Sequence, residues 1–297
     1  MTAATAAAAR SAEERSVGLW RDAFGRLVRH PGAITGGGLV LAIILTAIFA
    51  EQLATHDPLR GSLADSYIPP FTDGHLFGTN VQGQDLFSRI VFGARLTLGI
   101  AVLSVTIGVA LGVLFGAIAG YFRGWVDAAI MRVVDVMLSI PGLLLAIAVV
   151  AWLGRGVTQI AIAIALVNIP IFARILRGSL LALREADYVI AARSVGVRGP
   201  ALLIRHMLPN AVGPLIVQAT LALGTAVIDA AALGFLGLGP PDPRTPEWGA
   251  MLADTYRFLS RAPYLAFFPG AVIVLTVLGF NLLGDALRES LDPRLRR

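Results

Sequence analysis

The sequence predicts an all-α, polytopic membrane protein with six transmembrane helices. Apolar residues make up 56% of the 297 residues and charged residues only 14%, compared with roughly 25% charged residues in an average soluble protein. The mean hydropathy is correspondingly high, at +0.76. The chain also contains six apolar segments of the length that crosses a bilayer, which is roughly 20 residues of helix.

The six predicted spans account for most of the chain after residue 34. The polar leader of 34 residues is too long for the charged region of a signal peptide, so we expect an uncleaved first helix. Pro141, Pro170 and Pro269 fall inside the third, fourth and sixth spans, where each removes a backbone hydrogen bond and is expected to kink its helix. The spans lie at about 35–54, 96–119, 130–153, 157–173, 211–236 and 264–284.

The second predicted span carries small residues close to every fourth position, at Gly99, Gly108, Gly112, Gly116 and Gly120. Small residues at this spacing allow two helices to approach closely in lipid. We therefore expect this face to pack against another helix. The alternative is that the glycines are points of bending in a moving bundle.

The distribution of arginine predicts the orientation. All 24 basic residues are arginine, and with the N-terminus inside, 17 are cytoplasmic and seven are external, as the positive-inside rule requires. Both termini are then cytoplasmic. Residues 55–95 become an external cap over the outer mouth, and Trp248 is expected to anchor the external loop 237–263.

Because arginines lie on both faces of the membrane rather than in one patch, we expect no nucleic-acid partner.

Missing residue types exclude several kinds of chemistry. The chain has no cysteine and no lysine, which excludes thiolate sites and the lysine of a P-loop, so it does not carry its own ATPase. The histidines His30, His56, His75 and His206 fall in four separate segments without a paired spacing, so we expect no metal site. No nucleophile and base occur together within a span, and we expect no enzyme activity.

Three residues within the predicted spans are candidates for the translocation pathway: Asp229, Asn168 and Pro141. Asp229 is the only acid well inside a span, where a buried carboxylate is costly enough to indicate function. Its alternatives are a position near the interface or a pairing with a neighbouring subunit. It also supports a rival hypothesis, an ion-coupled secondary transporter with Asp229 as carrier site. Asp135 is expected to form a local ion pair with Arg132.

A polar insert at residues 184–210 separates the fourth and fifth spans and is far longer than a simple connector. Its first part suits a helix over residues 184–195. Glu185 and Asp187 lie near the N-terminal end of that helix, where acidic side chains are favoured by the helix dipole. Gly196 offers a stop with positive φ, and a second helical stretch from about residue 200 leads into the fifth span.

One face of the predicted helix carries Tyr188, Ala191, Ala192 and Val195, at spacings i, i+3, i+4 and i+7. These residues form a narrow apolar stripe that fits a groove on another protein. The alternative is a helix that lies on lipid. It is disfavoured because the stripe is small and lacks Trp or Phe anchors.

The insert resembles the EAA loop of ABC importer permeases, in which Glu-Ala-Ala is followed after three residues by Gly and after nine more by Ile-x-Leu-Pro. Ile190 stands at the glutamate position and His206 at the isoleucine position. The resemblance implies a coupling helix that docks on an ATPase subunit. Ala191 and Ala192 match the alanines of the motif, Gly196 its glycine, and Leu208 and Pro209 its closing pair. With Glu185, Asp187, Tyr188 and Arg193 of the same insert, these are the residues that we expect to couple to the ATPase.

The wider sequence resembles the C-type subunits of dipeptide and oligopeptide permeases over nearly the whole chain after about residue 18. This resemblance implies the fold of a type I ABC importer permease. It divides the chain into 1–95 (leader, first helix and cap), 96–290 (permease core with the EAA loop) and 291–297 (tail). The segments that carry it are 76–95, 120–147, 233–254 and 280–296.

The same resemblance implies half of a translocation pathway in a bacterial inner membrane. The partners would be a paralogous B-type permease, two cytoplasmic domains that bind ATP and Mg, an external peptide-binding protein and membrane lipid. The chain itself would then be a non-catalytic subunit without a cofactor. Members of this branch handle dipeptides, oligopeptides, nickel chelates, glutathione or haem, and the choice is expected to lie largely in the binding protein.

Overall fold

The computed structural model describes residues 19–253, 255 and 258–291. The leader up to residue 18 and residues 292–297 of the predicted tail lie outside the described residues. Within these ranges the regular structure is helical, and β pairing is limited to isolated bridges between residues 61 and 85. The predicted all-α class is confirmed.

Ten helices organise the described part of the chain. They are α1 (Leu19–Arg29), α2 (Pro31–Ile48), α3 (Leu86–Phe122), α4 (Gly124–Ser139), α5 (Gly142–Leu153), α6 (Val157–Arg184), α7 (Asp187–Ser194), α8 (Leu208–Leu233), α9 (Trp248–Ala253) and α10 (Tyr264–Leu291). Shorter helical turns occur at Ala50–Leu53, Leu63–Asp65, Gly199–Ala201, Leu202–Met207 and Gly234–Leu238. Five stretches are long and apolar enough to cross a membrane, namely α2, α3, α6, α8 with its flanking turns, and α10, and the bent pair α4 and α5 makes a sixth if it counts as one span.

Helix α3 begins ten residues before the predicted second span. Asp85 caps its N-terminus, because the carboxylate accepts a hydrogen bond from the backbone N–H of Ser88 at 2.8 Å. The helix has 37 residues and is therefore about 55 Å long, well beyond the roughly 30 Å of a bilayer core. Its first turns carry Ser88, Arg89 and Arg95 between apolar residues, and these polar side chains explain why hydropathy alone placed the start too late.

The glycine face of α3 packs directly on α6. A Cβ atom placed on Gly112 would lie 2.4 Å from Cβ of Phe172, and one on Gly116 would lie 2.6 Å from the carbonyl oxygen of Ala173. Gly108 and Gly120 are similarly close to α6, whereas a Cβ on Gly99 would meet nothing within 4 Å. The predicted helix contact is confirmed for four of the five glycines, and the prediction for Gly99 is wrong.

The predicted third span is two helices rather than one kinked helix. Helices α4 and α5 meet at an angle of 95° between Ser139 and Gly142. Ile140 is extended, with φ −91° and ψ 129°, as expected for a residue before proline, and Pro141 supplies no N–H to continue the helix. By contrast, α6 and α10 run through Pro170 and Pro269 without a break.

The bundle has two distinct ends. At one end, which we call the insert end, the last residues of α3 lie beside the polar insert, and His30 at the start of α2 bonds Glu289 near the end of α10 at 2.9 Å. At the other end, the part of the predicted cap that precedes α3 folds over the start of that helix, and from here on we call residues 54–85 the cap. The Tyr264 hydroxyl donates to the carbonyl of Ile68 in the cap at 3.1 Å. Helix α10 packs against both α2 and α8, which closes the bundle.

Candidate functional site

The polar insert begins with a short helix that ends as the sequence predicts. Helix α7 covers Asp187–Ser194, and Gly196 follows with φ +85°. The N–H of Gly196 donates to the carbonyl of Arg193 at 3.0 Å, and the N–H of Val197 donates to that of Ala192 at 3.1 Å. This pair of bonds is a Schellman motif, which requires a left-handed residue at the glycine position. The predicted positive φ is confirmed.

Two faces of α7 have different surroundings. Val189 is fully buried, and Ala192, one helical turn later, packs with it against the core. Tyr188, Ala191 and Val195 are exposed on the other side. The predicted stripe is therefore correct for these three residues and wrong for Ala192, because a residue three positions after Val189 shares its inward face.

The exposed apolar residues of α7 form a surface that is available for contact. Val195 is 81% exposed, Ile190 is 47% exposed and Tyr188 is 41% exposed. Most of their apolar surface is therefore not used in packing within this chain. Glu185 and Asp187 are exposed beside this surface. We call the exposed set Tyr188, Ile190, Ala191 and Val195 the α7 stripe.

The second half of the insert connects the α7 stripe rigidly to the bundle. Leu202 and Met207 of the wide turn Leu202–Met207 are buried. Leu208 packs against the core, and Pro209 stands in the first turn of α8. The insert is therefore held by packing at both of its ends.

Further contacts connect the insert to neighbouring helix ends. Partial burial raises the pKa of the Tyr188 phenol, and its hydrogen bond with Asn210 opposes that rise; this bond joins α7 to the start of α8. A cavity of about 470 Å³ separates the insert from the end of α3, and the guanidinium groups of Arg184 and Arg193 line it. Arg184 thus lies between the insert and α3, and Arg193 borders the same cavity while remaining exposed to solvent.

The three pathway candidates occupy different environments. Asn168 is 4% exposed, and its amide donates to the carbonyl of Ile164 in its own helix at 3.0 Å. It lies against Gly108 of α3, so it belongs to the helix contact and not to an open surface. Pro141 is exposed at the break between α4 and α5. Asp229 is half-buried in the second half of α8. The structure does not bring these three residues together in one contact.

Ion pairs near the insert end connect α4 to α6. Asp135 pairs with Arg174, so the predicted local pair with Arg132 is wrong. The guanidinium of Arg177 also donates to the carboxylate of Asp127 at 2.7 Å. Both bonds join residues of different helices, so the spacing of residues within α4 could not predict them.

At the cap end, two residues fix the loop between α8 and α10. Trp248 is fully buried, and its indole N–H donates to the carbonyl of Ile90 at 3.0 Å, which confirms that Trp248 anchors the loop. Glu247 accepts bonds from the N–H groups of Gly249 and Ala250 at 2.9 and 2.8 Å. Burial nevertheless raises the pKa of Glu247 to about 7. Glu247 was not among the predicted residues, although acidic side chains are favoured at the N-terminus of a helix by the helix dipole.

The expectation of no metal site rested on histidines that lie in separate segments of the sequence, but two of these histidines meet in the structure. His56 and His75 do not lie in separate regions. Both belong to the cap, their rings are stacked with centroids 4.5 Å apart, and both face the carboxylate of Asp85.

Comparison with known families settles what kind of protein this architecture belongs to. Residues 112–297, more than half of the chain, match the family described as binding-protein-dependent transport system inner membrane component. The chain belongs to this family. Residues 18–70 match a second family, the N-terminal TM domain of oligopeptide transport permease C.

Individual relatives agree with the family. The dipeptide transport system permease protein DppC of Alkalihalophilus pseudofirmus is 45% identical over 281 residues, which cover 95% of this chain and 92% of that protein. The glutathione transport system permease protein GsiD of Escherichia coli is 44% identical over 277 residues, which cover 93% and 91%. A chain of the methionine ABC transporter MetNI in inward facing conformations shares the fold, with a TM-score of 0.57 at 20% identity over 68% of this chain and 95% of that one.

The family decides between the functional hypotheses. The chain is a multi-pass membrane permease subunit of a bacterial ABC importer, with the predicted type I importer fold. It is the membrane component, which implies separate ATPase and binding-protein partners, and not the subunit that hydrolyses ATP. The rival hypothesis of an ion-coupled transporter that uses Asp229 finds no support.

Proposed function

We propose that this chain forms half of the translocation pathway for di- or oligopeptides and that the α7 stripe is the surface on which a partner ATPase docks. The observation that carries the proposal is the stripe itself: exposed apolar residues on a short helix that is braced on the core by Val189 and Ala192. An amphipathic helix of this kind fits a groove on a partner protein. Glu185, Asp187 and Arg193 are exposed nearby and supply a polar rim.

In this mechanism the ATP and Mg are bound by the partner ATPase domains, and this chain supplies no catalytic group. Closure of the ATPases moves α7 as a rigid body, because the Schellman motif at Gly196 and the packing of Leu208 fix the insert on α6 and α8. The bundle then alternates between openings to the two sides of the membrane. Asp229 and Pro141 remain our candidates for residues that the moving pathway exposes.

A paralogous B-type permease would complete the pathway. Helices α4 and α5 expose large apolar side chains, among them Val133 at 60%, Leu144 at 59% and Trp152 at 85%. Such a surface must be covered by lipid or by another membrane subunit. By the positive-inside rule the insert end, with both termini, faces the cytoplasm, and the cap faces the external peptide-binding protein.

The proposed substrate class rests on the relatives. The names of the two relatives with identities of 44–45% refer to dipeptide and glutathione transport. The described spans present no ring of charged side chains, which suits passage of peptides with varied side chains. We therefore favour small peptides over a single chemically defined ion.

Substitutions on the α7 stripe test the coupling proposal. Ala191→Glu places a charge in the proposed contact, and Gly196→Asp places a side chain at φ +85°, where most L-residues are strained. Both variants should insert in the membrane but lose peptide-stimulated ATPase activity and import. Ala182→Glu, an exposed alanine in the last turn of α6, is the matched control and should retain both. Import at the wild-type rate in Ala191→Glu and Gly196→Asp would overturn the assignment.

Co-purification tests the assembly separately. The chain, tagged and extracted from its native membrane, should bring down a second permease and P-loop ATPases. ATP turnover should rise when a peptide-loaded binding protein is added. A chain that purifies alone as a stable oligomer, without ATPase activity, would contradict both the coupling and the heterodimer proposals.

A further inference from the structure

The cap contains one cluster of metal-ligating side chains that the transport mechanism does not use. His56, His75 and Asp85 each offer one ligand atom, and these atoms lie within 4.8 Å of one another. Nδ1 of His75 is 2.8 Å from Oδ1 of Asp85, and Nδ1 of His56 is 3.8 Å from the same oxygen. The three residues come from separate parts of the cap and meet at the first turn of α3.

The carboxylate of Asp85 is oriented so that one oxygen is left for the histidines. Its Oδ2 accepts bonds from the N–H of Ser88 at 2.8 Å and from the hydroxyl of Thr55 at 3.2 Å. Its Oδ1 is the atom that faces His75 and His56. Asp85 is 1% exposed, and the hydrogen bonds to its Oδ2 hold Oδ1 in place, as is usual for carboxylates that bind metals.

The distances suit a small divalent cation. Zinc lies about 2.0–2.1 Å from imidazole nitrogen and carboxylate oxygen, so two ligand atoms in a tetrahedral site are about 3.3 Å apart. The observed separations of 2.8 and 3.8 Å lie half an ångström on either side of this value. The His56 side chain is 42% exposed and that of His75 is 13% exposed. His56 would have to move closer to Asp85 and His75 slightly away from it, each by about half an ångström from the separations observed.

The cluster is also accessible to solvent, and further acidic residues lie around it. It opens into a cavity of about 510 Å³ in the cap, and the carboxylates of Asp65 and Asp73 line the same cavity. Arg60 lines it too, but its guanidinium pairs with Asp57 at 3.2 Å. A cation can thus enter from solvent, and the cavity leaves room for water as a fourth ligand.

We propose that His56, His75 and Asp85 form a binding site for a divalent transition-metal cation of the Zn²⁺ class. Two imidazole nitrogens and one carboxylate oxygen form a three-protein-ligand set that zinc and related metals accept. Bound metal would clamp His56 and His75 to the cap residue of α3. The site would therefore stabilise the cap at the end of the bundle opposite the α7 stripe. This proposal does not rest on the peptide-transport proposal, because it concerns residues that the coupling mechanism does not involve.

The test uses the full chain, purified with an affinity tag that contains no histidine and stripped with a chelator. Zn²⁺ binding is measured by competition with a chromophoric chelator, and Co²⁺ is added in parallel to read the absorption of a tetrahedral ion. We expect about one equivalent of Zn²⁺ per chain, a tetrahedral Co²⁺ spectrum, and a higher melting temperature with Zn²⁺ than without it.

Variants then assign the metal to the cluster. His56→Ala removes one of the three protein ligands. It should weaken Zn²⁺ binding by more than about tenfold, the smallest loss usual even for a residue that only supports a ligand, and should abolish the Co²⁺ spectrum. It keeps the bond between His75 and Asp85, so it remains informative if His75→Ala does not fold. His206→Ala, a histidine of the insert, is the control and should bind as the wild type does. A wild-type chain without stoichiometric Zn²⁺, or binding that His56→Ala leaves unchanged, would overturn the proposal.

Discussion

The close contact between α3 and α6 makes a quantitative prediction for Gly112→Ala. The new Cβ would lie 2.4 Å from Cβ of Phe172 and 2.8 Å from the carbonyl oxygen of Ile169. Carbon atoms in contact are normally about 3.5–4.0 Å apart, so the two helices must separate by about 1 Å or bend. Overpacking of this kind costs about 1–3 kcal/mol, and one of the clashing atoms is backbone that cannot rotate away.

Gly99→Ala in the same helix isolates that cost. A Cβ at Gly99 meets nothing within 4 Å, and both variants gain the same helix propensity of about 1 kcal/mol. The difference between the two variants is therefore the packing cost alone, about 1–3 kcal/mol. For a chain of this size it corresponds to a melting temperature lower by roughly 2–12 °C in Gly112→Ala. Thermal unfolding of the purified chains, followed by helical circular dichroism, measures it. Equal melting temperatures for the two variants would refute the proposed backbone contact.

Three further predictions concern the cap end. Burial raises the pKa of Glu247 to about 7, whereas the unfolded carboxyl ionises near pH 4.5. The wild type should therefore lose stability relative to Glu247→Gln as the pH rises from about 4.5 to about 7. Melting temperatures of both proteins across this range test the prediction, and an equal pH dependence of the two would contradict it. Trp248→Phe removes the bond to the carbonyl of Ile90 and should cost about 1–3 kcal/mol, measured by the same melts; an unchanged midpoint would show that this bond is not needed. Gly83→Ala would place a Cβ 1.9 Å from the carbonyl of Ser62 at φ +70°, so protease digestion should cleave the cap faster than in the wild type, and an unchanged rate would show that the cap adapts.

The features that the sequence predicted well are those set by local periodicity. The apolar spans follow from hydropathy, and the contact through Gly108, Gly112 and Gly116 follows from the four-residue spacing of the helix. The stop at Gly196 follows from the ability of glycine to adopt positive φ. Each of these depends on neighbours along the chain, so no knowledge of the tertiary structure is needed.

The features that it missed depend on partners distant in sequence. Asp135 finds Arg174 rather than Arg132, because α6 lies alongside α4. His56 and His75 meet only because the cap folds back on Asp85, and spacing in the sequence does not encode that fold. The start of α3 was placed late because Ser88, Arg89 and Arg95 interrupt its apolar first turns, although Asp85, which directly precedes the helix, is of a residue type favoured as a helix N-cap. The break at Pro141 was located correctly, but its angle of 95° depends on the packing around it.

The α3–α6 contact limits how the permease can change shape. Two helices whose backbones touch at Gly112 and Gly116 cannot slide past each other without passing through the clashes described above. The two helices therefore move as one unit. Helix α6, with its 28 residues, extends about 42 Å from the insert end towards the cap. A movement of the insert end of α6 would therefore carry α3 along with it. The bending needed for transport then has to occur elsewhere. We expect it at the corner between α4 and α5, where the chain turns by 95° and Pro141 leaves no backbone hydrogen bond to hold the two helices in line.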